Sequence, residues 1–239
     1  VITDYWVLVP AAGVGKRMGA DRPKQYLPLL GQPLLSLTLR NILTWPGISG
    51  IVVALSGEDD LFRHLKEAAH PLVHTVIGGA ERSDSVLAAL KFLSEREADD
   101  TPVLVHDAAR PCVALEDIVA LLDSSVSSTA LLARPASDTV KLSRLEDRKN
   151  CVEKTLDRQH IWLAQTPQRA PLGLLYSCLN RAIEQGKAVT DEASALEIFG
   201  HTSQLVAGQG DNIKVTHPSD IMVAEAILRL RYAPTEDNR

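Results

Sequence analysis

The 239-residue chain has little cysteine, methionine or aromatic content: three Cys, two Met and 4% Phe, Trp and Tyr. Cys112, Cys151 and Cys178 are far apart, odd in number and outside any C-x-x-C spacing. That pattern argues against a disulfide framework or a zinc site and for reduced thiols in the cytoplasm. No apolar run approaches the roughly 18–20 residues of a membrane span, and the start lacks a signal-peptide pattern. The chain opens at Val1 without an initiator methionine, so the numbering is expected to begin inside the natural start. An excess of basic charge is also missing. The net charge is -5, which makes the chain a poor general nucleic-acid binder. What is present is 45% hydrophobic residues, enough to bury a core. One α/β domain or two small ones would fit, and a single domain over 1–239 is expected.

Short apolar runs alternate with amphipathic stretches. Trp6–Pro10, Ile51–Leu55, Leu72–Ile77 and Val103–His106 read as buried parallel strands. Pro33–Thr44, Asp59–Ala69, Ser83–Ser94 and Leu115–Ser125 read as the helices between them. This alternation predicts βαβ units in a layered, Rossmann-like α/β fold with a mostly parallel sheet. Ligands then belong at the carboxyl ends of the strands. Residues 137–159 break the rhythm. Asp138–Leu142 and Cys151–Leu156 alternate polar and apolar residues around a polar segment, Ser143–Asn150. They predict a two-stranded projecting arm, and a lone hairpin needs something to pack on, most economically a second subunit. Helices are predicted again at Pro171–Gln185, Asp191–Phe199 and Pro218–Arg231, with short strands at Gln204–Val206 and Ile213–Val215.

The densest chemistry lies in residues 10–25. Pro10-Ala11-Ala12-Gly13-Val14-Gly15 follows the first apolar run, and Lys16, Arg17, Arg22 and Lys24 come just after. A strand emptying into such a loop brings bare backbone N–H groups against a polyphosphate. Gly13, Gly15 and Gly19 give G-x-G-x-x-x-G rather than the dinucleotide fingerprint, and Gly15-Lys16-Arg17 departs from a Walker A loop. The bland alternative is a glycine-rich turn with solvated lysines.

Three other segments stand out. In Gly78-Gly79-Ala80-Glu81-Arg82-Ser83-Asp84-Ser85, the glycines allow approach to a flat ring or a phosphate, and Ser83 or Asp84 offers a helix cap. An ordinary cap with nothing bound is the alternative. In Val105-His106-Asp107-Ala108-Ala109-Arg110-Pro111, Asp107 leaves a buried strand and offers a ligand for Mg²⁺. Arg110 either pairs with Asp107 or fixes the loop by another salt bridge, and His106 reads as a buried, hydrogen-bonded histidine. In Asp211-Asn212-Ile213-Lys214-Val215, alternation puts Asn212 and Lys214 on one face, where a surface lysine is the plain reading. Asp191-Glu192-Ala193-Ser194 reads as a helix start with no chemistry.

Taken in order, P-A-A-G-x-G-x-R-M, P-K-Q, G-G-x-E-R-x-D-S-V, V-H-D-A-A-R-P, T-P-Q, T-D-E-A-S-A and D-N-I-K-V-T resemble the 2-C-methyl-D-erythritol 4-phosphate cytidylyltransferase family. The resemblance runs from about Val7 to Ala224. It implies a homodimeric enzyme of the non-mevalonate isoprenoid route that uses CTP and Mg²⁺. By motif, it puts CTP contacts on Pro10, Ala11, Ala12, Gly13, Gly15, Gly79, Ser85 and Ala108. Transition-state cations fall on Arg17 and Lys24. Acceptor contacts fall on Asp107, Arg110, Thr139, Arg158, Thr166 and Lys214, of which Thr139, Arg158, Thr166 and Lys214 are expected to position its phosphate, with Asp107 also beside the metal. Arg158 and Lys214 join the catalytic cations. Thr139 and Arg158, on the arm, would serve the partner's site. Position 80 is Ala, where some relatives carry Asp, so no side-chain contact is expected from it. Ribitol-5-phosphate or sugar-1-phosphate nucleotidyl transfer, a non-catalytic nucleotide sensor and a dehydrogenase are the competing readings.

Overall fold

The computed structural model describes residues 4–13, 23–124, 128–146 and 148–232. Its centre is a seven-stranded sheet. From β1 (Tyr5–Pro10) the sheet runs outward through β4 (Ile48–Leu55) to β5 (Val73–Ile77), all parallel. On the other side β1 pairs in parallel with β6 (Pro102–Val105). Next comes β10 (Trp162–Pro171), antiparallel to both β6 and β7 (Ala130–Pro135). β11 (Gln204–Ala207) closes the edge in parallel with β7. The mostly parallel expectation holds, with β10 the reversed strand.

Alternation explains why the central strands are apolar throughout. Val7, Val9, Ile51, Val53 and Leu104 pack into a core on one face with α1 (Leu34–Ile42) and α3 (Leu115–Asp123). Leu8, Val52, Val103 and Val105 point to the other face, under α2 (Arg82–Ser94), α4 (Leu172–Glu184) and α5 (Glu192–Glu197). A strand with helices on both faces has no polar side to alternate with. A third cluster joins Leu34, Val215 and Leu228, seating α6 (Pro218–Tyr232) beside the small hairpin of β2 (Pro28–Leu29) and β3 (Gln32–Pro33). No helix among the described residues is long and apolar enough to cross a membrane.

Four expectations need correction. Asp59–Ala69 is not a helix but two single 3-10 turns, Phe62–His64 and Lys66–Ala69, with Leu65 extended between them. Asp59 accepts the N–H groups of Leu61 and Phe62, and the buried Glu67 carboxylate takes the Ser36 hydroxyl at 2.7 Å. These side-chain bonds outcompete helical propensity. Ile213–Val215 is not a strand, although the Val215 N–H donates to Ala109 O and fastens the segment. The arm's polar segment is mostly strand: β8 (Lys141–Glu146) pairs with β9 (Lys149–Thr155). Finally, β7 and β10 belong to the central sheet and were not expected. In β10, Gln165, Thr166 and Gln168 are buried, which hides the strand from a hydrophobic pattern.

Trp6 and Gly50 face each other across β1 and β4. A Cβ at Gly50 would lie 2.3 Å from Cζ3 of the Trp6 ring, which also packs against His74. Gly50→Ala is expected to destabilise the fold by about 1–3 kcal/mol in urea unfolding. In a Trp6→Ala background most of that loss should disappear, because the two changes share one contact.

Candidate active site

The carboxyl ends of β1, β5 and β6 meet at one rim, and each releases a loop there. The loop after β1 is held by its neighbours. The Ala11 N–H donates to Ala54 O at 2.8 Å, and the buried Gln25 amide donates to Ala11 O at 2.7 Å. A cavity of about 430 Å³ opens beside this loop, walled by Pro10, Ala11, Ala12, Gly13, Lys24, Ser85, Asp107, Ala108 and Lys214. Gly15, Arg17 and the neighbouring Lys16 and Arg22 lie outside the described residues.

After β5, the chain packs against itself rather than leaving room. A Cβ at Gly78 would lie 2.6 Å from Ser85 Oγ and 2.8 Å from Ala12 Cβ, and one at Gly79 would lie 2.3 Å from Asp84 Cβ. Both glycines therefore serve close approach of protein to protein, and Gly79 does not line this cavity. Glu81, not Ser83 or Asp84, occupies the N-cap of α2. The Asp84 carboxylate accepts the Glu81 N–H at 3.0 Å, and Ser85 Oγ accepts the Gly79 N–H at 3.3 Å.

Asp107, the second residue beyond β6, is the electrostatic hub. Its Oδ1 meets Arg82 Nε at 3.1 Å, and its Oδ2 meets Lys214 Nζ at 2.9 Å and Arg110 Nε at 3.4 Å. Arg82 in turn forks onto Glu192 at 2.6 and 3.1 Å, a carboxylate only 4% exposed at the start of α5. Arg110 also donates to Asn212 O at 2.6 Å. Burial opposes the Asp107 charge, but Arg82, Lys214 and Arg110 outweigh it and hold the carboxyl far below its ordinary range. Burial likewise works against the Arg82 cation, and Glu192 with Asp107 reverses the effect. A second cavity of about 180 Å³ adjoins the first. It shares Arg82, Asp107 and Lys214 and adds Arg110, Thr166 and Thr190.

The expected metal role of Asp107 does not fit this geometry. Both of its carboxylate oxygens already meet cations, and no group of three His, Cys, Asp or Glu converges among the described residues. A divalent ion belongs here only if phosphate oxygens bring it. Thr139 and Arg158 are exposed at the base of the arm, where Arg158 donates to Ser137 O, and they line neither cavity of their own chain. His106 is fully buried, as expected. Sequence reading missed Arg82, Glu192 and Gln25 as site-building residues. Each sits inside a motif quoted above, yet nothing local reveals that Arg82 and Glu192 meet.

The family described as 2-C-methyl-D-erythritol 4-phosphate cytidylyltransferase matches this sequence over residues 5–230. The chain belongs to that family. It is 50% identical over 223 residues to the enzyme of that name from Shewanella oneidensis, covering 92% of this chain and 87% of the relative. To the Escherichia coli O157:H7 protein of the same name it is 46% identical, covering 94% of each. The crystal structure of the Francisella tularensis cytidylyltransferase superposes with a TM-score of 0.80 at 36% identity, over 94% of this chain and 99% of that one. The Thermus thermophilus structure gives 0.76 at 30% identity, over 95% and 99%. Membership in a cytidylyltransferase family thus rests on nearly the whole fold, including the rim that carries Asp107.

The hub carries a prediction about stability. Because the folded Asp107 carboxyl ionises below the ordinary value of 3.8, its contribution is present above that pH and fades as the pH falls toward the folded pKa. Asp107→Asn leaves the buried Arg110 without its carboxylate and should cost about 3 kcal/mol at neutral pH. Urea unfolding at a series of pH values should show the gap between wild type and variant narrowing below about pH 4.

Proposed function

We propose that the chain transfers the cytidylyl group of CTP to 2-C-methyl-D-erythritol 4-phosphate, giving 4-diphosphocytidyl-2-C-methyl-D-erythritol and pyrophosphate. The observation that carries this reading is the pair of adjoining cavities with Arg82, Asp107 and Lys214 in their common wall. Two anionic substrates need neighbouring seats with cations between them, and the family match supplies their chemical identity. The larger cavity takes CTP. Backbone N–H groups of Ala12, Gly13 and Gly15 are assigned to the triphosphate, with Pro10 and Ala11, whose own N–H is held by Ala54 O, as wall contacts to CTP. Lys24 and Arg17 are assigned to the reacting phosphorus, and Ser85, Ala108 and the backbone about Gly79 to the nucleoside side. The smaller cavity takes the acceptor, with Arg110, Thr166 and Lys214 around it.

The acceptor's phosphate oxygen attacks the α-phosphorus in line, and pyrophosphate leaves. That oxygen is already anionic near neutral pH, so the reaction needs no general base. Positioning and charge stabilisation carry the rate. The Lys214 side chain is 38% exposed, and Asp107 keeps two other cations. The Lys214 ammonium is therefore able to turn from Asp107 to the incoming phosphate while Asp107 stays compensated. Mg²⁺ brought with CTP would supply further charge neutralisation at the phosphates, and none of the described residues is assigned to hold it.

The arm supports a homodimer. β8 is exposed along its whole length, with Leu145 72% exposed, Val152 on β9 is 62% exposed, and an isolated hairpin is marginal in water. Seated on a partner, it would bring Thr139 and Arg158 to that subunit's acceptor cavity. We place the protein in the cytoplasm, where three free thiols are at home.

A pyrophosphate-release assay with CTP, Mg²⁺ and methylerythritol phosphate tests the activity. Turnover with ribitol phosphate and none with methylerythritol phosphate would replace the acceptor. Lys24→Ala is expected to lower kcat about 10²–10³-fold while changing CTP affinity much less. Normal kcat in a folded Lys24→Ala protein would remove the residue from the mechanism. For the arm, Leu145→Asp with Val152→Asp should yield a folded monomer in sedimentation that has lost most acceptor turnover. A fully active monomer would contradict the shared site.

A further inference from the structure

One hydrogen-bond chain beneath the smaller cavity has a direction set by its two ends. His106 is fully buried, with its ring edge-on to Trp45 at 5.5 Å. Its Nε2 lies 3.0 Å from the carbonyl oxygen of Arg110, which only accepts. Nε2 must therefore carry a proton. The ring is fully buried and its hydrogen-bond partners are a carbonyl and a hydroxyl, with no carboxylate to hold a second proton, so it is neutral and Nδ1 is bare. The partner of Nδ1 is Thr166 Oγ1 at 3.1 Å. A bare nitrogen only accepts, so the Thr166 hydroxyl donates its single proton to it. The same oxygen accepts the Asp107 N–H at 3.0 Å. A hydroxyl has one proton and two lone pairs. Thr166 is left with one lone pair and nothing to donate.

Thr166 lines the smaller cavity. We infer that His106 is a positioning residue that fixes the Thr166 hydroxyl as a hydrogen-bond acceptor, so that Thr166 recognises a hydroxyl group of the polyol chain and not the phosphate. This rests on the proposed reading of that cavity as the acceptor's seat. A phosphate dianion presents only acceptors, and two acceptors facing each other repel. The phosphate therefore belongs to the cations, Lys214 and Arg110, and the carbon chain with its O–H donors belongs beside Thr166. The assignment orients the acceptor within its cavity and explains the chemistry of the element that supplies Thr166. β10 has three residues, Gln165 to Pro167, opposite Leu132 of β7, and such a bulge re-aims side chains out of the ladder. Asn212 steadies the bulge by donating to Thr166 O at 2.9 Å.

Three measurements test the inference on the full-length enzyme. Nitrogen-15 spectra of histidine-labelled wild type should show His106 protonated at Nε2 and bare at Nδ1. A ring protonated at Nδ1 would overturn the inference without any variant. Steady-state kinetics should then use methylerythritol phosphate and three analogues, each with one hydroxyl replaced by hydrogen. Thr166→Val should raise the acceptor KM about tenfold and leave the CTP KM unchanged, and Thr166→Ser should track wild type. One of the three analogues should suffer a similar loss with wild type and no further loss with Thr166→Val, because both changes remove the same bond. His106→Gln keeps a donor for the Arg110 carbonyl but removes the acceptor at Nδ1, and should also raise the acceptor KM. If wild type turns over and Thr166→Val penalises all four acceptors equally, the inference is wrong while the cavity reading stands. If wild type fails to turn over methylerythritol phosphate at all, the cavity reading itself falls and the inference with it.

Discussion

A buried carboxylate at the end of a central strand must be compensated or it will not stay ionised. Asp107 sets that requirement, and three segments answer it. Arg82 comes from the start of α2, Arg110 from the turn just after Asp107, and Lys214 from the stretch before α6. Each region is tied further back. Glu192 holds Arg82, Asn212 O holds Arg110, and Asn212 itself donates to Thr166 O on β10. The wall between the two cavities is thus the place where separate parts of the chain are obliged to meet. Arg82, Arg110 and Lys214 stand there against Asp107 and Glu192, and the Asp191 carboxylate lines the smaller cavity beside them. The three cations suit a site whose visitors are anions.

The reversed strand completes this arrangement. β6 delivers Asp107 outward at its carboxyl end, while β10 runs the other way beside it and passes the same rim before entering the sheet. Its bulge places Thr166 where the Asp107 N–H can reach the hydroxyl. Further along, Gln168 accepts the Ala193 N–H and donates to Asp191, fixing the start of α5 and hence Glu192. A parallel strand in this position would need its own crossover and would meet the rim from the opposite direction. The antiparallel strand is what lets one element touch both the hub and the residue that supports it.

Much of this was legible in the sequence wherever a local rule applied. Strands β1, β4, β5 and β6 announced themselves as apolar runs because both their faces are buried. The loop after Val9 and Asp107 after His106 were found because small residues and a carboxylate at strand ends have few other uses. The limits were equally physical. β10 was missed because much of its buried run is polar, with Gln165, Thr166 and Gln168 each bonded to a distant partner, which no periodicity reveals. Glu192 looked like a first-turn acid on a helix because its partner lies 110 positions away. Residues 59–69 carried a helical pattern that Asp59 and Glu67 overrode with specific hydrogen bonds. The glycines after β5 were rightly marked as close-approach positions, but the approaching group is the protein's own Ser85 and Asp84.

Charge stabilisation without a general base places a particular demand on a fold. The cations must stand in place before the substrates arrive, since moving them during the reaction would forfeit the advantage of preorganisation. Like charges gathered in one wall repel, so counter-ions must be built in, and every counter-ion weakens the field the substrate feels. The arrangement around Asp107 resolves the conflict by grading exposure. Arg82 is forked onto Glu192, and Arg110 is tucked under Asn212, so both stay put. Side-chain exposure rises from 11% for Arg110 through 28% for Arg82 to 38% for Lys214. In the proposed mechanism Lys214 turns from Asp107 to a phosphate and leaves the carboxylate with its other two cations. Arg82 and Arg110 then keep Asp107 satisfied while the most accessible of the three serves the reaction.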